Sequence, residues 1–115
     1  MTVRDLYTET SSDFDSVLKR LGSEESVKKF VRLFAGDESF TQLKTALSEN
    51  NTAEAFRAAH TLKGISINLG FSGLYKASSG ITESLRNGQT EDLDKEFSEV
   101  CWEYEKLISR IPEID

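Results

Sequence analysis

The chain has 115 residues, 37% of them hydrophobic and 30% charged, with a formal net charge of −6. That length makes a single domain, 1–115, able to bury about two-thirds of its unfolded surface. An acidic balance without a Lys/Arg cluster argues against a nucleic-acid binder, because phosphate neutralisation dominates that affinity.

One cysteine, Cys101, excludes an intrachain disulfide framework and a Cys-rich zinc site. No apolar run approaches the roughly 20 residues of a membrane span, so no membrane association is expected. Residues 1–10 are mixed and acidic and lack the apolar centre of a signal peptide. The cytoplasm is the expected compartment. Any histidine chemistry must sit at His60, the only histidine.

Strand-like alternation is absent, and a 3.6-residue period recurs along the chain. Phe14, Val17, Leu18 and Leu21 form a first stripe, with Ser12 and Asp15 as a capping box and Gly22 as the stop. Ser23 caps a second helix carrying Val27, Phe30, Val31 and Phe34, broken at Ala35-Gly36-Asp37. Four longer segments follow, at about 37–49, 52–69, 73–87 and 91–111. Asn51 and Glu54 open the second of these, and Gly70 closes it. Leu74, Ser78, Ile81 and Leu85 stripe the third, which stops at Asn87-Gly88. Thr90, Glu91 and Asp92 start the last, where Leu93, Phe97, Val100, Tyr104, Leu107 and Ile111 form the seam and Pro112 ends it. Cys101, beside Val100, reads as a small buried hydrophobe. Short loops imply antiparallel neighbours. The fold expected is all-α, an up-down-up-down four-helix bundle with additional short N-terminal helices.

The helix from about residue 52 to 69 carries the chemistry. With His60 at 0° and about 100° per residue, Ala58, Leu62, Ile65, Leu69 and Ala55 fall between about 140° and 220° and form the core stripe. His60 then points away from the core. Phe56, Ile67 and Lys63 lie within about 60° on one side of it, and Gly64 and Arg57 within about 60° on the other. An exposed His ringed by large apolar groups, cations and a glycine is not an ordinary solvated face; such patches mark partner surfaces. Gly64 inside a helix costs roughly 0.5–1 kcal/mol against Ala, which suggests close approach by another chain. Lys63, one turn away, can neutralise an anion on the ring and help keep the free imidazole neutral and nucleophilic. A metal site is disfavoured, because no second His or Cys lies within a turn. A Ser-His-Asp hydrolase is disfavoured too, for want of a nucleophile elbow.

Ala59-His60-Thr61-Leu62-Lys63-Gly64, followed by Asn68-Leu69-Gly70, resembles the histidine-containing phosphotransfer (HPt) domain of two-component phosphorelays. The preceding Ala55-Phe56-x-x-Ala59 and the later Leu74, Ile81, Leu85-Arg86-x-Gly88 pattern fit as well, and the likeness covers about residues 3–109. The resemblance implies a four-helix bundle whose exposed His exchanges a phosphoryl group with the aspartate of a receiver domain. The implied partners are receiver domains of response regulators, a sensor histidine kinase, or both.

Carried over by position, His60 is the nucleophile through Nε2, Lys63 steadies the phosphoryl charge, and Gly64 leaves room for the receiver. Phe56 and Ile67, with Arg57 and Asn68, form the docking surface. Relatives place Gln or Glu on the neighbouring helix to hydrogen-bond the imidazole or phosphoryl group. Here Thr82, beside Glu83, stands there as the His-orienting residue with a shorter reach. This departs from the chemotaxis-kinase subset.

No Walker motif or Gly-rich nucleotide loop is present, so a phosphocarrier without autokinase activity is expected. No cofactor or metal of its own is expected; the receiver would bring Mg²⁺ and the acidic cluster. The alternatives are a non-catalytic helical adaptor and a phosphotransfer fragment of a larger hybrid or chemotaxis-type kinase. Met1 at the start and Pro112 near the end favour a free-standing protein, and a monomer is expected.

Overall fold

A computed structural model describes residues 1–115 and is all-helical. Seven α-helices follow one another: α1 Val3–Glu9, α2 Phe14–Leu21, α3 Glu24–Ala35, α4 Ser39–Ser48, α5 Thr52–Asn68, α6 Ser72–Arg86 and α7 Leu93–Ile108, with a 3₁₀ turn at Ile111–Glu113. Within the bundle, α4 packs on α5, α5 on α6 and α6 on α7.

Local chemistry sets the boundaries. Helix α1 was not anticipated from the sequence, yet its cap is written there. The Asp5 N–H donates to Thr2 Oγ1 at 3.1 Å, and the Thr2 N–H donates to Asp5 Oδ2 at 2.9 Å. Hydrogen bonding from Thr2, its backbone N–H first, holds the Asp5 carboxyl below the usual carboxylate range. The cap of α2 is Asp13, which accepts from the Ser16 N–H at 3.1 Å, and not Ser12. Ser12 instead shares a hydrogen bond with the Thr10 hydroxyl. Helix α7 begins at Leu93, because residues 91 and 92 form a turn. Its seam residue Ile111 is buried, but in the 3₁₀ turn after the helix has ended.

One apolar cluster runs through all the helices. Aromatic rings link the N-terminal helices to the bundle. Phe14 meets Tyr7 at 5.2 Å, Tyr7 meets Phe71 at 5.5 Å, and Phe71 meets Phe34 at 5.1 Å. Phe34 reaches Tyr104 at 5.8 Å, and Tyr104 stacks on Phe40 at 4.0 Å. Each such pair adds about 0.5–1.5 kcal/mol beyond its area. Cys101 is half-buried, a departure from the fully buried residue expected; burial and then Glu105 push its thiol up, which disfavours the reactive thiolate.

The turn after α5 is shaped by contact with the N-terminal segment. Gly70 has φ +69°, and a Cβ there would lie 2.5 Å from Asp13 O. The Asp13 N–H donates to Gly70 O at 2.8 Å. Nearby, the buried Tyr7 hydroxyl donates to Leu69 O at 2.6 Å. Burial raises the Tyr7 pKa above its ordinary value of 10.0, since ionisation would strand a charge and remove a donor. The folded value is the higher one, so this contribution to stability is fully present below pH 10 and is lost as pH rises beyond it. Tyr7→Phe is expected to cost about 1–2 kcal/mol at neutral pH. Urea midpoints from neutral to alkaline pH should show that the variant loses less stability than the parent in the alkaline range. An identical alkaline slope would contradict this role for Tyr7.

Candidate functional site around His60

Helix α5 is started by Asn51, whose side-chain oxygen accepts from the Glu54 N–H at 3.2 Å. Ala55, Ala58, Ala59, Leu62 and Ser66 are its buried residues, and Leu69 follows them inward. This band differs from the expected stripe at three residues. Ala59 and Ser66 are inside, the Ser66 hydroxyl donating to Leu62 O at 2.7 Å, whereas Ile65 is only half-buried. Small side chains let α4 and α6 approach from both sides, which widens the buried arc.

His60 is exposed, and its imidazole makes no hydrogen bond within the chain. Its ring lies 5.9 Å from that of Phe56, tilted by 52°. Phe56 is half-buried and packs against the core, and the Arg86 guanidinium sits 5.2 Å over the centre of its ring. Arg86 pairs with Glu83 at 3.3 Å. The α6 groups reaching this edge are therefore Arg86 and, through it, Glu83; neither was singled out from sequence as a site residue.

Gly64, one turn along from His60, faces open space, with nothing within 4 Å of where a Cβ would stand. Lys63 is half-buried and pairs with no carboxylate, leaving its charge available on the His60 face. Arg57 is exposed and pairs with Glu54. Ile67 is 49% exposed, an unusual state for a large aliphatic side chain, and Asn68 beside it is exposed as well.

Thr82 lies on the neighbouring helix, but its hydroxyl takes a different partner from the one read from sequence. It is fully buried, and its hydroxyl donates to Ser78 O at 2.6 Å inside α6. A β-branched hydroxyl in a helix readily bonds back one turn, and here that proton is engaged away from the imidazole. The orienting hydrogen bond assigned to Thr82 is corrected accordingly.

Two further exposed apolar residues stand close by. Phe30 is 42% exposed and Leu33 59% exposed, both on α3. They line an apolar groove of about 460 Å³ together with Leu21, Ile65 and Asn68. Phe30 shares the apolar stripe of its helix with Val27, Val31 and Phe34, yet only those three are buried. The sequence signal for this was present: Val27, Phe30, Val31, Leu33 and Phe34 are more apolar residues than one face of a single helix can bury. Leu33, about 120° from Val27 by helical periodicity, is the one left furthest out.

No three His, Cys, Asp or Glu side chains gather in a metal-holding arrangement. No helix is long and apolar enough to cross a membrane. A sequence model of the Hpt domain family matches residues 33–113. No curated protein and no solved structure matches the chain.

Proposed function

The chain belongs to the Hpt domain family, and from that premise we propose that His60 is the phosphoryl carrier of a His–Asp phosphorelay. Family membership implies histidine phosphotransfer in two-component signalling. The observation that carries the finer reading is the state of His60: the only imidazole, exposed, free of internal hydrogen bonds and flanked by the open surface of Gly64.

In the forward step, the neutral imidazole Nε2 lone pair attacks the phosphorus of a receiver's aspartyl phosphate. The new bond is P–Nε2. The P–O bond to the aspartate breaks, and its electron pair leaves on the carboxylate. The Nδ1 proton stays on the ring, so no general base is needed. Lys63 offsets the phosphoryl charge, and the receiver brings Mg²⁺. Reversal onto a second receiver passes the group on. Such transfer depends mainly on positioning and electrostatics. We place the chain in the cytoplasm, acting as a monomer on receiver domains.

Phe56, Ile67, Arg57 and Asn68 form the docking surface in this reading, and the exposed Phe30 and Leu33 extend the apolar area beside it. Ile67→Ala is expected to weaken receiver affinity about fivefold, half of a full side-chain burial, with an unchanged melting temperature. Phe56→Ala is expected to weaken docking and also lower the melting temperature, because Phe56 contacts the core. Titration of both variants with a receiver, alongside thermal melts, checks the split; an Ile67→Ala variant that melts early and binds normally would overturn it. The direct test of function is incubation of the purified chain with phosphorylated receiver domains. Receiver binding without any label on His60 would make the chain an adaptor.

A further inference from the structure

The last carbonyls of a helix have no partner of their own within it. In α5, backbone donors beyond the helix satisfy some of them: Ser66 O accepts from the Phe71 N–H at 2.9 Å, and Ile67 O from the Gly70 N–H at 3.2 Å. Asn68 O and Leu69 O receive no backbone donor. Their partners come from the N-terminal helices. Arg20 on α2 donates through Nη2 to Asn68 O at 2.6 Å and to Ile67 O at 3.1 Å, and Tyr7 on α1 serves Leu69 O. The other terminal nitrogen of Arg20, Nη1, donates to Ser16 Oγ at 2.8 Å, one turn back on its own helix. Arg20 forms no salt bridge with a carboxylate, and its Nη2 is directed at the negative end of α5.

The two carbonyls Arg20 holds belong to Ile67 and Asn68, the residues that end α5 on the docking face. Arg20, Ser16 and Tyr7 all precede residue 33, where the family match begins. The same segment therefore completes the hydrogen bonding of a helix whose chemistry lies in the shared part. We infer that Arg20 is a positioning residue for receiver docking: it clamps the last turn of α5 and so fixes the directions of Ile67 and Asn68. It touches neither His60 nor the phosphoryl group. This inference rests on the reading of His60 as phosphoryl carrier.

Arg20→Gln removes the charge and the fork of donors; Arg20→Lys keeps the charge on a single donor. Two phosphoryl sources separate docking from chemistry. One is the receiver domain that labels the parent chain fastest. The other is phosphoramidate, a small donor that needs no docking surface: its P–N bond breaks, ammonia leaves, and the phosphoryl group bonds to His60 Nε2.

Loss of a charge-assisted hydrogen bond to the docking turn is expected to raise the KM for the receiver about three- to tenfold in Arg20→Gln. The kcat and the rate of phosphoramidate labelling should stay at parental values. Arg20→Lys should recover part of the KM. Backbone amide exchange at Gly70 and Phe71, whose donors close this turn, should quicken in Arg20→Gln while the centre of α5 stays protected. An unchanged KM, or unchanged amide exchange, would overturn the inference. Equal slowing with both donors would also overturn it, since that assigns Arg20 a general structural role. Failure of the parent chain to take label from either donor would instead refute the carrier reading; the amide exchange would still decide whether Arg20 clamps the turn.

Discussion

Substituting Gln for His60 is expected to abolish phosphoryl uptake from a phosphorylated receiver, by about three orders of magnitude or more, as removal of a nucleophile does. Gln keeps a similar bulk and polarity, but its amide nitrogen has no available lone pair. The fold should not notice the change, because the imidazole is exposed and hydrogen-bonds nothing within the chain. Melting temperatures of parent and variant should therefore agree. In the parent, the label should be lost in acid and in hydroxylamine, as a phosphoramidate bond requires, and survive in alkali. Label retained by the variant would place the nucleophile on another side chain.

Gly64→Arg should be nearly as severe for transfer and harmless to stability. A Cβ at residue 64 would meet no atom within 4 Å, so a side chain there leaves the helix into open space and the bundle should hold. Replacing a helical glycine should even stabilise α5 by about 0.5–1 kcal/mol. The cost falls on the partner. One turn from the nucleophile, a long cationic side chain holds the receiver's aspartyl phosphate away from Nε2, and displacement of about 1 Å can cost 10²-fold. Transfer is thus expected to drop about a hundredfold or more, with a melting temperature at or above that of the parent. Gly64→Ala, with a single added methyl, should share the stability gain and lose far less activity. A Gly64→Arg protein that unfolds would show that residue 64 packs against the fold. One that transfers at the normal rate would show that the receiver approaches from elsewhere.

Legibility from sequence followed the physics of each region. The segments of α4 to α7 were readable because their apolar residues recur at helical spacing and their ends carry Asn51, Gly70 and Asn87-Gly88. The exposure of His60 was readable for the same reason, since Ala55, Ala58 and Leu62 fix the buried side of α5. Helix α1 escaped because its seven residues are too few to establish a period, although the Thr2–Asp5 capping box was there to be seen. Phe30 and Leu33 were misjudged or passed over because a helix wheel shows which residues share a face, and not how much of that face the neighbours cover. Thr82 was misplaced for a related reason. It does lie on α6, but whether a hydroxyl reaches across a helix gap or bonds back along its own helix depends on burial, which spacing does not encode. Arg20 could not be found from sequence at all: its acceptors lie 47 and 48 residues further on, and only the packed fold brings them together.

The central claim is that this chain carries a phosphoryl group on His60 between receiver aspartates. The most direct measurement is rapid-mix transfer: receiver domains from the same organism are charged with labelled phosphate, mixed singly with the chain, and the site of label is mapped by fragmentation under alkaline conditions. The expected result is that at least one receiver passes its label within seconds, that the label resides on His60 alone, and that adding a second, uncharged receiver drains it again. Label that stays on every receiver, or that arrives on a residue other than His60, would contradict the account.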